Sequence, residues 1–274
     1  MDPQTFSEKV NWRILFDRRP LLAPTCDKLA MKEYARRVGP DTLHVPELYW
    51  SGTDVTELAD VDLPPHWVLK PNNASGLVVL GSGRPDVDEL AATTRGWEDV
   101  RHWRRSDEWA YRQARRGLLV EELVGAPGRA CPDLKVLVFD GVPRIVGVHT
   151  GRRRDHRVRY YDTNWTPLPW RGGQDQGPDV PPPCRLSEML AASSALAEGF
   201  DMLRVDFYEH DGVLWFGELT PYPGAGLSRL DPSLDELLGS LWTLPDLDPP
   251  PPLLRVARAV GRLRGAGSST SPAA

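Results

Sequence analysis

Two acids, Asp206 and Glu218, fall in one stretch, Leu203 to Leu227, that reads LRVDFYEHDGVLWFGELTPYPGAGL. Arg204 to Tyr208 alternates polar and apolar residues as a half-buried strand does, and Trp215 to Leu219 matches it as a partner. His210-Asp211-Gly212 supplies the turn between them, with Gly free to take a positive φ. Strands joined in this way run antiparallel, so the two acids project from one face of the ribbon and converge. Carboxylates held toward the core side of a sheet are costly to desolvate unless a cation or strong donors compensate. Mg²⁺ suits such a pair, because it takes hard oxygen ligands and is commonly held by one or two carboxylates plus the phosphates of a nucleotide. Arg204, two residues before Asp206, points to the same side and can meet a phosphoryl group as a planar fork. Thr220 bears the same relation to Glu218 and offers an oxygen. Taken alone, such a pair is more often two solvated acids on a surface hairpin, and the rest of the chain has to decide.

A chain of 274 residues with 41% hydrophobic residues and ten Trp is long enough to bury a substantial core. The net charge of −5 gives no general attraction to nucleic acid or to an anionic membrane. No apolar run approaches a membrane span, and Asp2, Glu8 and Lys9 stand where a secretory signal would be apolar, so a cytoplasmic location is expected. Cys26, Cys131 and Cys184 are widely spaced and odd in number, which indicates neither a disulfide framework nor a zinc site; buried structural thiols are the expectation for all three. Of 33 basic residues only Lys9, Lys28, Lys32, Lys70 and Lys135 are lysines. Where Arg serves nearly every basic role, a Lys suggests a compact point charge on a flexible stem beside a phosphate.

The elements that must position these groups can be taken in order. Asp27 reads as the N-cap of a helix over Lys28 to Val38, with Met31, Tyr34, Ala35 and Val38 at helical spacing before Gly39-Pro40. His44 to Trp50 is extended, and His44 is a packed or solvated residue in this reading. Trp67 to Lys70, the small polar turn Asn72 to Gly76, and Leu77 to Leu80 read as strand, loop, strand. Backbone N–H groups of such a loop can surround phosphate oxygens with Lys70 adding charge, although the same pattern also suits an ordinary hairpin and no P-loop motif is present. Pro85 to Arg116 reads as a charged helix, and Leu118 to Val124 as an apolar strand ending in acids. Asp133 to Val148 is a second hairpin turning at Asp140-Gly141, with an inward Lys135 that needs an anionic partner. Residues 150–185 are irregular and rich in Arg, Pro and Gly; the arginines between Arg152 and Arg159 suit either an anionic substrate or a flexible surface loop. Ser187 reads as the cap of a helix that runs through Glu198 to Gly199. Residues 246–274 read as a Pro-rich, basic, disordered tail.

Together these pieces resemble the ATP-grasp superfamily, and within it the TupA-like branch associated with teichuronopeptide and cell-surface polysaccharide synthesis. The resemblance rests on NWRILFDRRPLL, CDKLAMKEYARRVG, WVLKPNNASG, LLVEELV, DLKVLVFDGVPRIV, RYYDTNW and the stretch around Asp206 and Glu218. It implies an α+β fold in which two α+β lobes with antiparallel sheets clasp ATP, filling residues 1–245 after a lead-in over about 1–25. It further implies that Lys28 and Lys70 contact the nucleotide phosphates and that Asn72, Ser75 and Gly76 belong to the covering loop. Glu121, Glu122, Leu123 and Val124 would form the adenine-binding linker, and Lys135 would line the pocket. Arg204 would join Lys70 at the transferred phosphoryl group, with Mg²⁺ on Asp206, Glu218 and Thr220. Thr220 stands where relatives commonly carry Asn, and Ala74 where this branch usually shows Gly. The implied activity is ligation of a carboxylate, through an acyl phosphate, to an amine. The substrates would be small molecules, glycans or peptides; the alternatives are phosphoryl transfer of the kinase type or an inactive nucleotide-binding scaffold. The acceptor carboxylate is expected at Arg152, Arg154, Tyr222, Gly224 and Gly226.

Overall fold

The computed structural model describes residues 2–97, 99–100, 104, 107–125, 131–151, 155–170 and 174–247. Helix α1 (Phe6–Phe16) opens the chain, started by a reciprocal capping box between Thr5 and Glu8. A 3₁₀ segment, Pro20–Cys26, leads to α2 (Lys28–Val38), and the Asp27 carboxylate accepts from the Ala30 N–H as its cap.

Two sheets follow. The smaller has the order β1-β4-β2-β3, built from β1 (Leu48–Gly52), β2 (His66–Pro71), β3 (Val79–Ser82) and β4 (Leu118–Glu122), all antiparallel. Trp67, Leu69, Leu118 and Val120 on one face pack into a small core with Val55, Leu58 and Leu90. Period two along β2 and β4 therefore turns Val68, Lys70, Leu119 and Glu121 to the other face. The larger sheet has the order β10-β9-β5-β6-β7-β8, from β5 (Asp133–Phe139), β6 (Val142–Thr150), β7 (Arg157–Asp162), β8 (Asp175–Gln176), β9 (Met202–His210) and β10 (Val213–Thr220). Its main core holds Val136, Val138, Leu203, Val205 and Phe207 with Met189, Ala192 and Leu196 of a helix at Leu186–Leu196. Strands with antiparallel pairing throughout, apart from the parallel β7–β8 bridge, and helices packed on the sheets make this an α+β arrangement.

Three local expectations need correction. Pro85 to Arg116 is not one helix: α3 (Val87–Thr94) ends early, and Trp109–Arg112 forms only a 3₁₀ turn. Charge alone gives no stripe for a long helix to bury, whereas in α3 Leu90 reaches the small core. Ser187 does not cap α4 (Leu186–Leu196), because the cap position is Arg185 and Ser187 lies inside the first turn. Among the cysteines only Cys26 is buried; Cys131 is intermediate and Cys184 exposed, and none of the three forms a disulfide. The expected tail from 246 falls outside the described residues from 248 onward, whereas Leu247 itself is buried with Trp12 and Phe16. A last helix, α5 (Pro232–Ser240), packs on α1, and Lys9 caps its C-terminal end by donating to the carbonyls of Gly239 at 2.8 Å and Trp242 at 2.6 Å.

Candidate active site

The hairpin β9–β10 turns at Asp211-Gly212, and its register brings Glu218 directly opposite Asp206. It does so only through a bulge. His210 pairs with Val213, and undisturbed counting from there would set Asp206 against Gly217 and send Glu218 to the other face. One residue, Gly217, is left over, and the two acids regain a common face. A Cβ at Gly217 would stand 2.8 Å from the Asp206 carbonyl oxygen, so the bulge requires glycine there.

The acids do not simply repel one another, because Arg204 lies between them. Its Nε donates to Asp206 Oδ1 at 2.6 Å, while Nη2 donates to Asp206 Oδ2 at 2.8 Å, to Glu218 Oε1 at 3.0 Å and to Thr220 Oγ1 at 3.0 Å. From the next strand, where Lys135 and Asp206 are register partners, Lys135 Nζ also donates to Asp206 Oδ2. Lys135 thus finds the anion that its apolar strand demanded. Asp206 is 1% exposed and its two cations hold its carboxyl well below the usual range, whereas the Glu218 side chain is 40% exposed.

A second charge cluster sits on the open face of the smaller sheet. Glu121 of β4, 5% exposed, is paired with Lys70 of β2 and with Lys32 of α2, the latter at 2.8 Å. Lys28 lies one helical turn before Lys32 and donates to the Ala74 carbonyl. Burial lowers the Lys28 ammonium from its ordinary 10.5 to about 8, with Lys70 adding repulsion. Lys32 is lowered to about 8 as well, again chiefly by burial, in spite of Glu121. Three ammonium groups around one carboxylate leave an excess of positive charge in a partly enclosed place, and that excess calls for an anion.

Several expected site residues have other duties. Asn72 is buried and its amide is spent on scaffolding: Oδ1 accepts from the Leu29 N–H at 2.8 Å, and Nδ2 donates to the Arg115 carbonyl at 2.7 Å. The Lys28 N–H also donates to the Asn72 carbonyl, so this residue ties the start of α2 to the loop that begins after β2. Ser75 and Gly76 are exposed at the tip, Gly76 with φ 80°. Glu122 accepts from the Glu47 N–H at 3.2 Å, and Leu123 and Val124 follow it at intermediate exposure. Tyr222 is buried in the main core, while Pro223, Gly224 and Gly226 line a cavity of about 170 Å³ together with Lys135 and Arg204. Arg152 and Arg154 lie outside the described residues. Lys32 is singled out in the sequence only as one of five lysines and given no place in the site; its further signal is the spacing of four from Lys28 on one helix.

The oxygen-only donor set of Asp206, Glu218 and Thr220 fits a Mg²⁺ ion that completes its shell with phosphate and water. Among the described residues no cluster of three or more His, Cys, Asp or Glu is arranged to hold a metal. Among the described residues, too, no helix is long and apolar enough to cross a membrane.

A family model described as TupA-like ATPgrasp matches residues 8–243. No curated protein matches the chain. Among solved structures the chain is similar to the D-alanine–D-alanine ligase of Bacillus anthracis complexed with ATP, at 16% identity over 73% of this chain and 54% of that one, with a TM-score of 0.42. It is also similar to the ATP-grasp ligase PsnB complexed with minimal precursor, at 14% identity over 81% and 62% and a TM-score of 0.45. The macrocyclase MdnC bound with precursor peptide MdnA from Microcystis aeruginosa matches at 12% identity over 82% and 63%, with a TM-score of 0.42. The chain therefore spans less than two thirds of the length of each of these proteins.

Proposed function

We propose, from the premise that this chain belongs to the TupA-like ATP-grasp family, that it is a Mg·ATP-dependent carboxylate–amine ligase acting in the synthesis of a cell-surface polysaccharide or a peptide conjugate. The observation that carries this reading is the pair of charge clusters facing the same region: Lys28, Lys32 and Lys70 around Glu121, and Lys135 and Arg204 around Asp206. The helix α2 that carries Lys28 and Lys32 packs on β10, which carries Glu218, so the two clusters are neighbours. A polyphosphate laid along it would answer the excess charge at one end and reach the carboxylate hairpin at the other.

In this reading Lys28 and Lys70 hold the phosphates, with Ser75 and Gly76 over them and Asn72 fixing the loop from beneath. The segment Glu121 to Val124 borders the base, Glu121 chiefly by holding Lys32 and Lys70 in place. Glu218, Thr220 and Asp206 hold Mg²⁺, which when bound supplies Lewis-acid neutralisation of the phosphate oxygens. Arg204 keeps a fixed donor fork beside the γ-phosphoryl group, where charge develops during transfer. The acceptor carboxylate lies against Gly224 and Gly226, which line the cavity beside Arg204. Little covalent work is left to the protein, and positioning accounts for most of the catalysis.

A screen of amino acids, peptides and uronic acids for ADP release, with and without added amines and with product masses measured, tests this reading. Amine-dependent ADP release with a condensed product is expected. A stable phosphorylated product would mean kinase chemistry, and nucleotide binding without turnover would mean a scaffold.

The depressed lysines give a separate test of the phosphate site. The folded chain holds protons on Lys28 and Lys32 only below about pH 8, whereas an unfolded chain holds them to about 10.5. Between those values the unfolded state binds more protons, so the stability of the free protein rises with pH across this window. A bound polyphosphate reverses the effect by restoring the charged form. Titration with Mg and a non-hydrolysable ATP analogue at pH 8 is therefore expected to take up protons, seen as a binding enthalpy that differs between two buffers of unlike ionisation enthalpy. Equal enthalpies in both would remove Lys28 and Lys32 from the phosphate site.

A further inference from the structure

The cavity beside Arg204 holds two histidines that the reading above leaves without a role. His149, near the end of β6, and His156, just before β7, both line it. His149 Nδ1 stands 3.0 Å from His156 Nε2 in a direct imidazole–imidazole hydrogen bond. The other ring nitrogen of His149 lies on the side of Gly147, which also lines the cavity and whose lack of a side chain leaves room: a Cβ there would come within 3.4 Å of His149 Nε2. His149 belongs to a strand adjoining β5, so Lys135 and Arg204 face it from β5 and β9, and Tyr160 lines the same cavity from β7. No Asp or Glu is found among the described residues that line the cavity. The phenol of Tyr160 is pushed up by burial. The imidazoles are thus the cavity's available proton acceptors near neutral pH.

We propose that His149 and His156 form a proton relay for the amine half of the reaction, with His149 touching the amine and His156 acting through it. The proposal rests on the ligase reading of this site. As the amine nitrogen forms its bond to the acyl carbon, the carbon–oxygen bond to phosphate breaks and its electron pair leaves on inorganic phosphate. The proton shed by the nitrogen passes to His149 Nε2, and the Nδ1 proton of His149 passes across the hydrogen bond to His156 Nε2. His156 is more open than the cavity floor and hands the proton to solvent. Burial and the two cations keep His149 neutral, with its pKa lowered to about 2 against the partial offset of Asp206, so its accepting form is present throughout the working pH range. A proton taken up at Nε2 is therefore not held on His149 and moves on through the hydrogen bond to His156.

Hydroxylamine separates the two halves of the reaction, because it traps an acyl phosphate with water alone taking the proton it sheds, and reports the acylated state as a hydroxamate. The full chain and its His149→Gln and His156→Gln variants are to be run with Mg·ATP and a mixture of amino acids and glucuronate, with either hydroxylamine or a second amino acid as nucleophile. The variants are expected to lose at least tenfold more in amine ligation than in hydroxamate formation. A second measurement is independent of turnover: nitrogen-15 spectra of histidine-labelled protein from pH 5 to 8 should show His149 neutral throughout, with its signal displaced in the His156→Gln variant. Equal losses in both reactions, or a His149 that titrates as a free imidazole does, would overturn the relay while leaving the ligase reading intact. A wild-type chain that yields neither product would overturn both.

Discussion

Asp206→Ala is expected to cost about 3–5 kcal/mol of stability and to abolish turnover, while Glu218→Ala costs turnover alone. The two acids face each other in register, and a reading of the sequence as two close carboxylates in mutual repulsion would have either substitution relieve strain and spare the fold. The distances reverse that expectation for one of them. Asp206 accepts from Arg204 through both oxygens and from Lys135 as well, in a place almost without solvent. Its removal takes the anion from the enclosed Lys135 and leaves Arg204 with the more exposed Glu218 alone, and an uncompensated buried charge is among the costliest of point defects. Glu218 is 40% exposed and shares only one contact of 3.0 Å with Arg204, so its removal leaves the cluster paired. Both substitutions remove an oxygen from the proposed Mg²⁺ site, and a fall of about 100-fold or more in turnover is expected from each. Chemical denaturation beside a rate assay separates the effects: equal stability losses for the two variants, or an active Glu218→Ala enzyme, would refute the division of labour. The depressed Asp206 pKa adds an acid limb, since its contribution is complete above the ordinary carboxylate range and is lost as pH falls toward the folded value.

What could be read from the chain in advance was whatever is coded by short spacing. The α2 boundaries, its Asp27 cap and the Asp140-Gly141 and Asp211-Gly212 hairpin turns follow from caps and turn residues within a few positions of one another, and all are present. The buried Lys135 announced its own need for an anion, and Asp206 supplies it. The common face of Asp206 and Glu218 was reached without its cause: alternation alone would have separated them, and the signal lay in Gly217, a glycine interrupting a strand pattern. Partner choice was not legible, because it joins residues distant in sequence. Nothing local shows that Glu121 is held by Lys32 and Lys70, or that Asn72 spends its amide on α2 and the Arg115 carbonyl. The His149–His156 contact is set by the β6–β7 pairing and had no signature in the composition.

The same limit hid the meaning of NWRILFDRRPLL, and the second large effect is expected there. Arg13 is 0% exposed on the inner side of α1, where its two terminal nitrogens find acceptors while Nε has no hydrogen-bond partner and lies 3.8 Å from Asp17 Oδ2. Its Nη2 meets Asp201 at 2.6 Å, and its Nη1 donates at 2.9 Å to the carbonyls of both Met202 and Pro221. Those two residues stand at the entry to β9 and just past the exit from β10, so one guanidinium clamps the open end of the hairpin that carries Arg204, Asp206, Glu218 and Thr220. Asp201 is shared with Arg19 at 2.6 Å and with the Trp242 indole at 2.6 Å, and Asp17 completes the cluster through Arg19. Trp242 also stacks beneath the Arg13 guanidinium at 4.3 Å from its ring centre. Arg13→Ala therefore removes the donor shared by two carbonyls and one of the two donors to Asp201 Oδ2, and opens a cavity against Trp242, with an expected loss of about 3–5 kcal/mol. Arg13→Lys keeps the charge but cannot span both carbonyls and Asp201 from one planar group, and should recover less than half of that loss. Because Arg13 touches none of the proposed substrates, whatever folded fraction remains should bind the ATP analogue with near wild-type affinity once unfolding is accounted for. A variant as stable as the wild type would mean that the ends of the hairpin hold together without the clamp.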